Sequence, residues 1–187
     1  DISCLSTHAT KIFNTAEGGG LISTSEAINE HIKSLRSFGF DQKNDFVGVG
    51  TNAKMSELHA ALGLANLKGF RRTINHRKNV NDIYRNELYK CSNIRFQEIN
   101  KGSNCSYFPI ILQDEETCLR LLRYLSEYNI YPRRYFYPSL NKIKIVSASE
   151  KCPVSESISE RILCLPTHND VTVEDAVSIS NLILKII

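Results

Sequence analysis

The 187-residue chain is poor in charge imbalance, in long apolar runs and in paired cysteines, and each absence removes a class of function. Its 23 Lys and Arg against 20 Asp and Glu leave a net charge of only +3, with no long basic run, so neither nucleic acid nor a membrane surface is expected as a partner. No stretch approaches the ~20 apolar residues needed to span a bilayer. The opening DISCLSTH lacks the basic, apolar, small-residue order of a secretion signal, and a cytoplasmic location is expected. None of the cysteines Cys4, Cys91, Cys105, Cys118, Cys152 and Cys164 forms a CxxC pair. They are read as reduced, core or half-buried thiols, with no disulfide frame, no zinc site and no other metal expected. Internal repeats and low-complexity segments are also missing.

What is present suffices for a packed chain, since 42% of the residues are hydrophobic and the length allows one or two domains. ISCL at 2–5 reads as a short buried strand, and Ser6, Thr7, His8, Thr10 and Lys11 cluster at its end, where α/β folds favour ligands. A lysine held there can have its proton affinity lowered by desolvation and by neighbouring cations, which suits it to attack an aldehyde. The EGGG at 17–20 fits neither GxGxxG nor the Walker spacing and is read as a turn into a returning strand at 21–24. Thr24 or Ser25 caps a helix with Ile28, His31, Ile32 and Leu35 at helical spacing, and Gly39 stops it. His31 is read as packed or partly exposed rather than as a ligand.

Residues 41–52 read as a long loop. Asn52 or Ser56 then opens a core helix with the apolar stripe Met55, Leu58, Leu62 and Ala65, and a second helix covers about 69–89, its FRRTINHRKN face solvated. Strands are expected at 94–99, at 106–112 with Pro109 at an edge or bulge, through IYPRRYFYPSL to Pro138, and at 162–165. The segment NKGSN is a turn between the first two. Helices are expected at 115–128, with Leu119, Leu122 and Leu125 on one side, and at 173–186 with Thr172 as cap. Two helices against a small sheet make an α+β unit.

Three blocks in order, STHATKIFNTAEGGGLIST, SLRSFGF and GVGTNAKMSELHAALGLANL, followed more loosely by YPRRYFYPSL and ILCLPTHNDVTVEDA, make the chain similar to the DegT/DnrJ/EryC1/StrS family of pyridoxal-phosphate-dependent sugar aminotransferases over nearly its whole length. The resemblance implies an α/β fold class: part of the fold-type I large domain at 1–68, then a small α+β domain at 69–187. It implies that Lys11 is the catalytic lysine that carries pyridoxal 5'-phosphate, that Ser6 contacts the cofactor phosphate, and that His8 belongs to the same pocket. Asn52 would reach the phosphate from a neighbouring subunit, giving a homodimer with composite sites. Arg134 and Tyr137, in the segment with Arg133 and Tyr135, would face a nucleotide-linked keto sugar. Glutamate is the implied amino donor and dTDP-4-keto-6-deoxyglucose the leading acceptor, with 3-keto sugars as the alternative, for amino sugars of glycans such as lipopolysaccharide O-antigen. The family's lysine lies near mid-chain, and the first residue here is Asp1, so an N-terminal half bearing the remaining cofactor contacts is expected to be missing. A dehydratase of the same fold would carry histidine in place of Lys11. A non-enzymatic binding or regulatory module of this fold and an inactive fragment stay open as rival readings.

Overall fold

The computed structural model describes residues 1–99, 102–145 and 150–187, in two compact units, Asp1–Arg72 and Thr73–Ile187. In the first unit β1 (Ile2–Ser6) pairs antiparallel with β2 (Gly19–Ser23), Ile2 opposite Ser23 and Ser6 opposite Gly19. The twelve residues between them form the loop that carries Lys11. Helix α1 (Glu26–Arg36) starts where Ser25 Oγ accepts the Ile28 N–H at 3.4 Å, and it ends where Gly39 N–H bonds Ser34 O at 2.9 Å. Beyond it, the 41–52 segment returns along the helix end. The amides of Thr51 and Ala53 bond the carbonyls of Leu35 and Arg36 at 2.8 and 3.0 Å, which satisfies acceptors that a helix C-terminus leaves orphaned.

The two helices expected at 56 and 69 are one: α2 (Glu57–Leu88) runs 32 residues without a break. A glycine at 69 costs about 1 kcal/mol of helix propensity, and with no proline nearby that is too little to end a helix. The helix opens at Ser56, whose Oγ accepts the His59 N–H at 3.3 Å. Its expected core stripe stays uncovered, with Leu58 83% and Met55 44% exposed, because the described chain supplies no layer to pack on it. Every large buried apolar side chain instead lies in the second unit.

That second unit holds a three-stranded antiparallel sheet, β3 (Arg95–Phe96), β4 (Phe108–Ile111) and β5 (Ile162–Leu165), with β4 central. Pro109 therefore lies in a middle strand. It is tolerated because β3 pairs only with Ile110 and Ile111, leaving no partner for the missing N–H on that side. The expected strand at 94–99 is thus two residues long, and the expected turn at NKGSN includes positions 100 and 101, outside the described residues. Helices α3 (Glu115–Ser126), α4 (Pro153–Arg161) and α5 (Val173–Leu184) pack with the end of α2 around Tyr84, Leu88, Phe108, Ile110, Leu121 and Leu163. The buried stripe of α3 is Cys118, Leu121 and Leu125, one position off the expected Leu119 and Leu122. Helix α4 was not expected at all. The Thr172 cap is realised as a reciprocal capping box with Asp175.

Two further expectations change. IYPRRYFYPSL is not a strand: it touches β5 through a single bridge, Arg133 with Cys164, since Pro132 and Pro138 each remove a ladder donor. The basic face of α2 is not wholly solvated either. Arg77 is half-buried and donates through Nη1 to Ser106 O and Thr167 Oγ1, both at 3.1 Å, and desolvation lowers its proton affinity. All six cysteines are free, but Cys4 and Cys152 are exposed rather than packed. No helix among the described residues is long and apolar enough to cross a membrane.

Candidate active site

The loop between β1 and β2 is organised by two buried threonines, of which the sequence singles out Thr7, at the strand end, but not Thr15. Thr7 and Thr15 are 5% and 3% exposed, with their hydroxyls 2.8 Å apart. The Thr15 N–H bonds Thr7 O at 2.9 Å, the Thr7 N–H bonds Gly18 O at 3.0 Å, and Thr15 Oγ1 lies 2.7 Å from Glu17 O. With Glu17 O taking the Thr15 hydroxyl proton, Thr7 is the donor of the threonine pair. Gly18 has φ +149°, and a Cβ there would sit 2.6 Å from both Thr15 Oγ1 and the Met55 methyl, so only glycine closes this ring.

The ring is fastened to α2. At Gly63 a Cβ would come within 2.7 Å of Thr15 Cγ2. Asn66 Nδ2 donates to Asn14 O at 2.9 Å, and Phe13 packs edge-on against Phe70 with centroids 5.8 Å apart. Gly63, Asn66 and Phe70 recur at i, i+3 and i+7, one face of the helix. Their shared face is the signal by which they could have been found, but it emerges only once a loop some fifty residues away is known to pack there.

On this scaffold Lys11 sits in a turn, its N–H on His8 O at 2.9 Å, with its side chain exposed. Lys11 Nζ makes no hydrogen bond or ion pair among the described residues. Ser6 Oγ accepts the His8 N–H at 3.4 Å and keeps its own proton to donate. His8 Nδ1 accepts the Thr10 N–H at 3.2 Å, which places the ring proton on Nε2, 3.6 Å from Glu17 Oε1. The three residues named from the sequence thus gather at one strand end: a primary amine with no competing partner, a hydroxyl donor and an N–H donor. A phosphate-bearing aldehyde needs that set, so the residues present fit pyridoxal phosphate.

Asn52 lies elsewhere in the unit, its backbone bridged to Ser37. Its side chain is exposed, with Oδ1 accepting from Lys54 Nζ at 2.8 Å and Nδ2 free to donate. Lys54 also stands 4.2 Å from the Phe38 ring centroid. Phe38 and Lys54 line a surface cleft of about 850 Å³ together with His31, Lys33 and Lys43. None of Ser6, His8 and Lys11 lines that cleft.

Arg134 and Tyr137 belong to the second unit. Arg134 Nη2 donates to Glu115 Oε1 at 2.8 Å and to Glu160 O at 2.6 Å, so it joins the first turn of α3 to the electron-rich C-terminus of α4. Its guanidinium carbon lies 3.6 Å from the centre of the Tyr137 ring. Only 15% of the Arg134 side chain is exposed. Tyr137 is the open one of the pair.

The profile of the DegT/DnrJ/EryC1/StrS aminotransferase family matches residues 1–184. Among similar proteins, the dTDP-4-amino-4,6-dideoxy-D-glucose transaminase of Shigella dysenteriae is 36% identical over 179 residues, 92% of this chain and 49% of its own length. The UDP-4-amino-4,6-dideoxy-N-acetyl-beta-L-altrosamine transaminase of Campylobacter jejuni is 27% identical, over 100% of this chain and 52% of its own. The crystal structure of DesI with its TDP-sugar product superposes with a TM-score of 0.86 at 28% identity, covering 100% of this chain and 50% of DesI. The chain thus spans about half the length of the relatives it matches and carries part of the fold-type I transferase architecture.

Proposed function

This chain belongs to the DegT/DnrJ/EryC1/StrS aminotransferase family, and from that premise we propose that it is part of an enzyme that uses pyridoxal phosphate to move an amino group from glutamate to a nucleotide-linked keto sugar. The leading acceptor is dTDP-4-keto-6-deoxyglucose, and the product is an amino sugar for glycan assembly, O-antigen included. The observation that carries this reading is the unpartnered Lys11 amine on a loop locked by Thr7, Thr15, Gly18 and Gly63. The names of the relatives support the nucleotide-sugar class. A cytoplasmic homodimer with composite sites is part of the same proposal.

Pyridoxal phosphate, when bound, supplies an aldehyde and a ring that accepts electron density from the donor carbon. Lys11 Nζ would anchor it and, once released from it, carry protons between donor carbon and cofactor, one amine serving as attachment point and as acid and base. Ser6 Oγ and Asn52 Nδ2 would donate to the phosphate, Asn52 from the partner protomer, and His8 Nε2 would line the pocket. Tyr137 would offer a face to the sugar nucleotide, and Arg134 would contribute there through the ring it holds. The rigid threonine ring matters because a nucleophile displaced by about 1 Å loses much of its advantage.

Adding pyridoxal phosphate to the complete enzyme should produce the visible absorbance of its lysine adduct, and Lys11→Ala should abolish it. Turnover of dTDP-4-keto-6-deoxyglucose with glutamate, run beside 3-keto analogues, assigns the acceptor. An enzyme that gains no such absorbance would end the transaminase reading.

A further inference from the structure

One end of the sheet in the second unit gathers positive charge that the residues around Lys11 do not share. The register sets Arg95, the first residue of β3, opposite Ile111, the last of β4, and sets Ile111 opposite Ile162, the first of β5. Arg161, immediately before β5, and Gln113, just beyond β4, therefore stand at the same end of the sheet as Arg95. A cleft of about 400 Å³ opens there, lined by Ser92, Asn93, Arg95, Gln113, Asp114 and Arg161, with Leu112 as its apolar part. None of Ser6, His8, Lys11, Asn52, Arg134 and Tyr137 lines it.

The two arginines are held differently. Arg161 Nε donates to Ser157 O at 3.2 Å, Nη1 to Leu112 O at 3.2 Å and Nη2 to Ser157 Oγ at 3.3 Å, while its own carbonyl accepts the Leu112 N–H at 2.9 Å. A guanidinium carries five N–H groups, so donors remain on a fork whose orientation is already set. Arg95 is exposed, and its side chain makes no hydrogen bond or ion pair among the described residues. Gln113 Nε2 donates to Asn93 Oδ1 at 2.8 Å, which ties the turn after α2 to the turn after β4. Asp114 is the acid of the cleft, yet it pairs with neither arginine. Its Oδ1 accepts the Thr117 N–H at 2.8 Å as the cap of α3, and Thr117, followed by Arg120, holds its carboxyl below the usual range. Two cations at one cleft with no anion between them repel each other, and a bound anion removes that cost while taking bonds from both.

We propose that this cleft is a binding site for a small phosphate-bearing anion, held between the Arg95 and Arg161 guanidinium groups with the Ser92 hydroxyl as a further donor. A carboxylate offers two oxygens, which a single fork satisfies. A terminal phosphoryl group offers three, enough to engage both forks and the hydroxyl together. The mostly polar lining suits such an ion and not an apolar ligand, and the cleft is of the size that small-molecule sites have. Because the cleft is partly open to solvent, its hold on the ion weakens as salt rises. The assignment does not rest on the transaminase reading, since every lining residue belongs to the second unit and neither Lys11 nor a cofactor takes part.

The test uses the complete protein, loaded with pyridoxal phosphate so that any cofactor site is filled, and pyrophosphate as the probe at low salt. Calorimetry reads the affinity and amide exchange reads the place. Pyrophosphate should bind saturably and slow exchange in residues 91–95 and 112–114, which separates this cleft from an anion site elsewhere. Arg95→Gln removes no hydrogen bond of the fold and should weaken binding at the cleft by at least about tenfold, the scale of one lost charge-assisted contact. Arg161→Lys keeps the charge without the fork and should weaken it as well. Arg123→Gln removes the same charge from an exposed position of α3 outside the cleft and should bind as wild type does, with exchange in α5 as the check that each variant is folded. No protection at 91–95 and 112–114, an unchanged affinity in Arg95→Gln, an equal loss in Arg123→Gln, or glutarate bound there as tightly as pyrophosphate would each overturn the proposal. Should the protein take up no pyridoxal phosphate, the transaminase reading fails, and the same titration of the unloaded protein still decides this one.

Discussion

Two glycines of α2 should respond to the same substitution with opposite sign. Alanine replaces glycine in a helix interior with a gain of about 0.5–1 kcal/mol. At Gly69 an added Cβ meets nothing within 4 Å, so Gly69→Ala should realise that gain. At Gly63 the Cβ would lie 2.7 Å from Thr15 Cγ2, and Thr15 cannot turn away without breaking its contacts at 2.8 Å to Thr7 Oγ1 and 2.7 Å to Glu17 O. Relief takes either overpacking strain of about 1–3 kcal/mol or one or two hydrogen bonds at about 0.5–1.5 kcal/mol each. Gly63→Ala should therefore destabilise the Lys11 loop by up to about 2 kcal/mol, after the propensity gain is subtracted. Exchange of the Thr7 and Thr15 amides, whose acceptors lie within the ring, reads that loop directly; a loss of about 1–2 kcal/mol speeds it by roughly 5–30-fold. Thr15→Ser keeps the hydroxyl and deletes Cγ2, so in that background Gly63→Ala should behave like Gly69→Ala. If Gly63→Ala slows exchange as Gly69→Ala does, the close approach does not constrain the loop and the argument for a locked lysine is wrong.

Other consequences follow from the second unit and the site. Tyr84 is fully buried and donates to Pro166 O at 2.9 Å; Tyr84→Phe strands that carbonyl and should lower the urea unfolding free energy by about 1–3 kcal/mol, visible as a lower midpoint at unchanged slope. Glu156 accepts from Lys142 Nζ, the Cys152 N–H and Asn141 Nδ2, led by the lysine contact, and its pKa falls from 4.5 to about 2. Because the folded value lies below the unfolded one, its contribution is complete above about pH 4.5 and fades as pH falls through 2. The stability gap between wild type and Glu156→Gln should narrow over that window, and a gap that widens on acidification would contradict the assignment. Thr7→Val should remove the donor of the threonine pair and lower cofactor affinity without abolishing the lysine adduct, whereas Lys11→Ala should abolish it; titration with pyridoxal phosphate distinguishes the two.

The local elements were legible where the pattern is short-range. Helix α1 with its serine cap and α5 with its Thr172 box rest on side-chain chemistry within four residues, and β5 on a short apolar run. Sequence reasoning went astray where distant partners decide. The sequence read as two helices, the second starting at about Gly69, yet nothing there costs enough to stop a helix. Pro109 suggested an edge strand, and only the early end of β3 lets it sit in the middle. The stripe from Met55 to Ala65 pointed to a core that the described chain does not supply. Ser6, Thr7, His8 and Lys11 stand out because they are neighbours in sequence, while Thr15, Asn14 and Asn66 escaped notice because isolated threonines and asparagines carry no spacing signal.

By itself the sequence determined which groups stand at the end of the first strand, and through its ordered motif blocks the family to which they belong, since identity and spacing along the chain are properties of the covalent polymer. Tertiary structure alone decided which neighbours hold the lysine loop still, which arginine is already engaged, and which apolar faces go uncovered. Those depend on contacts between residues far apart in the chain, and the free energy of such contacts exists only once the chain has brought them together.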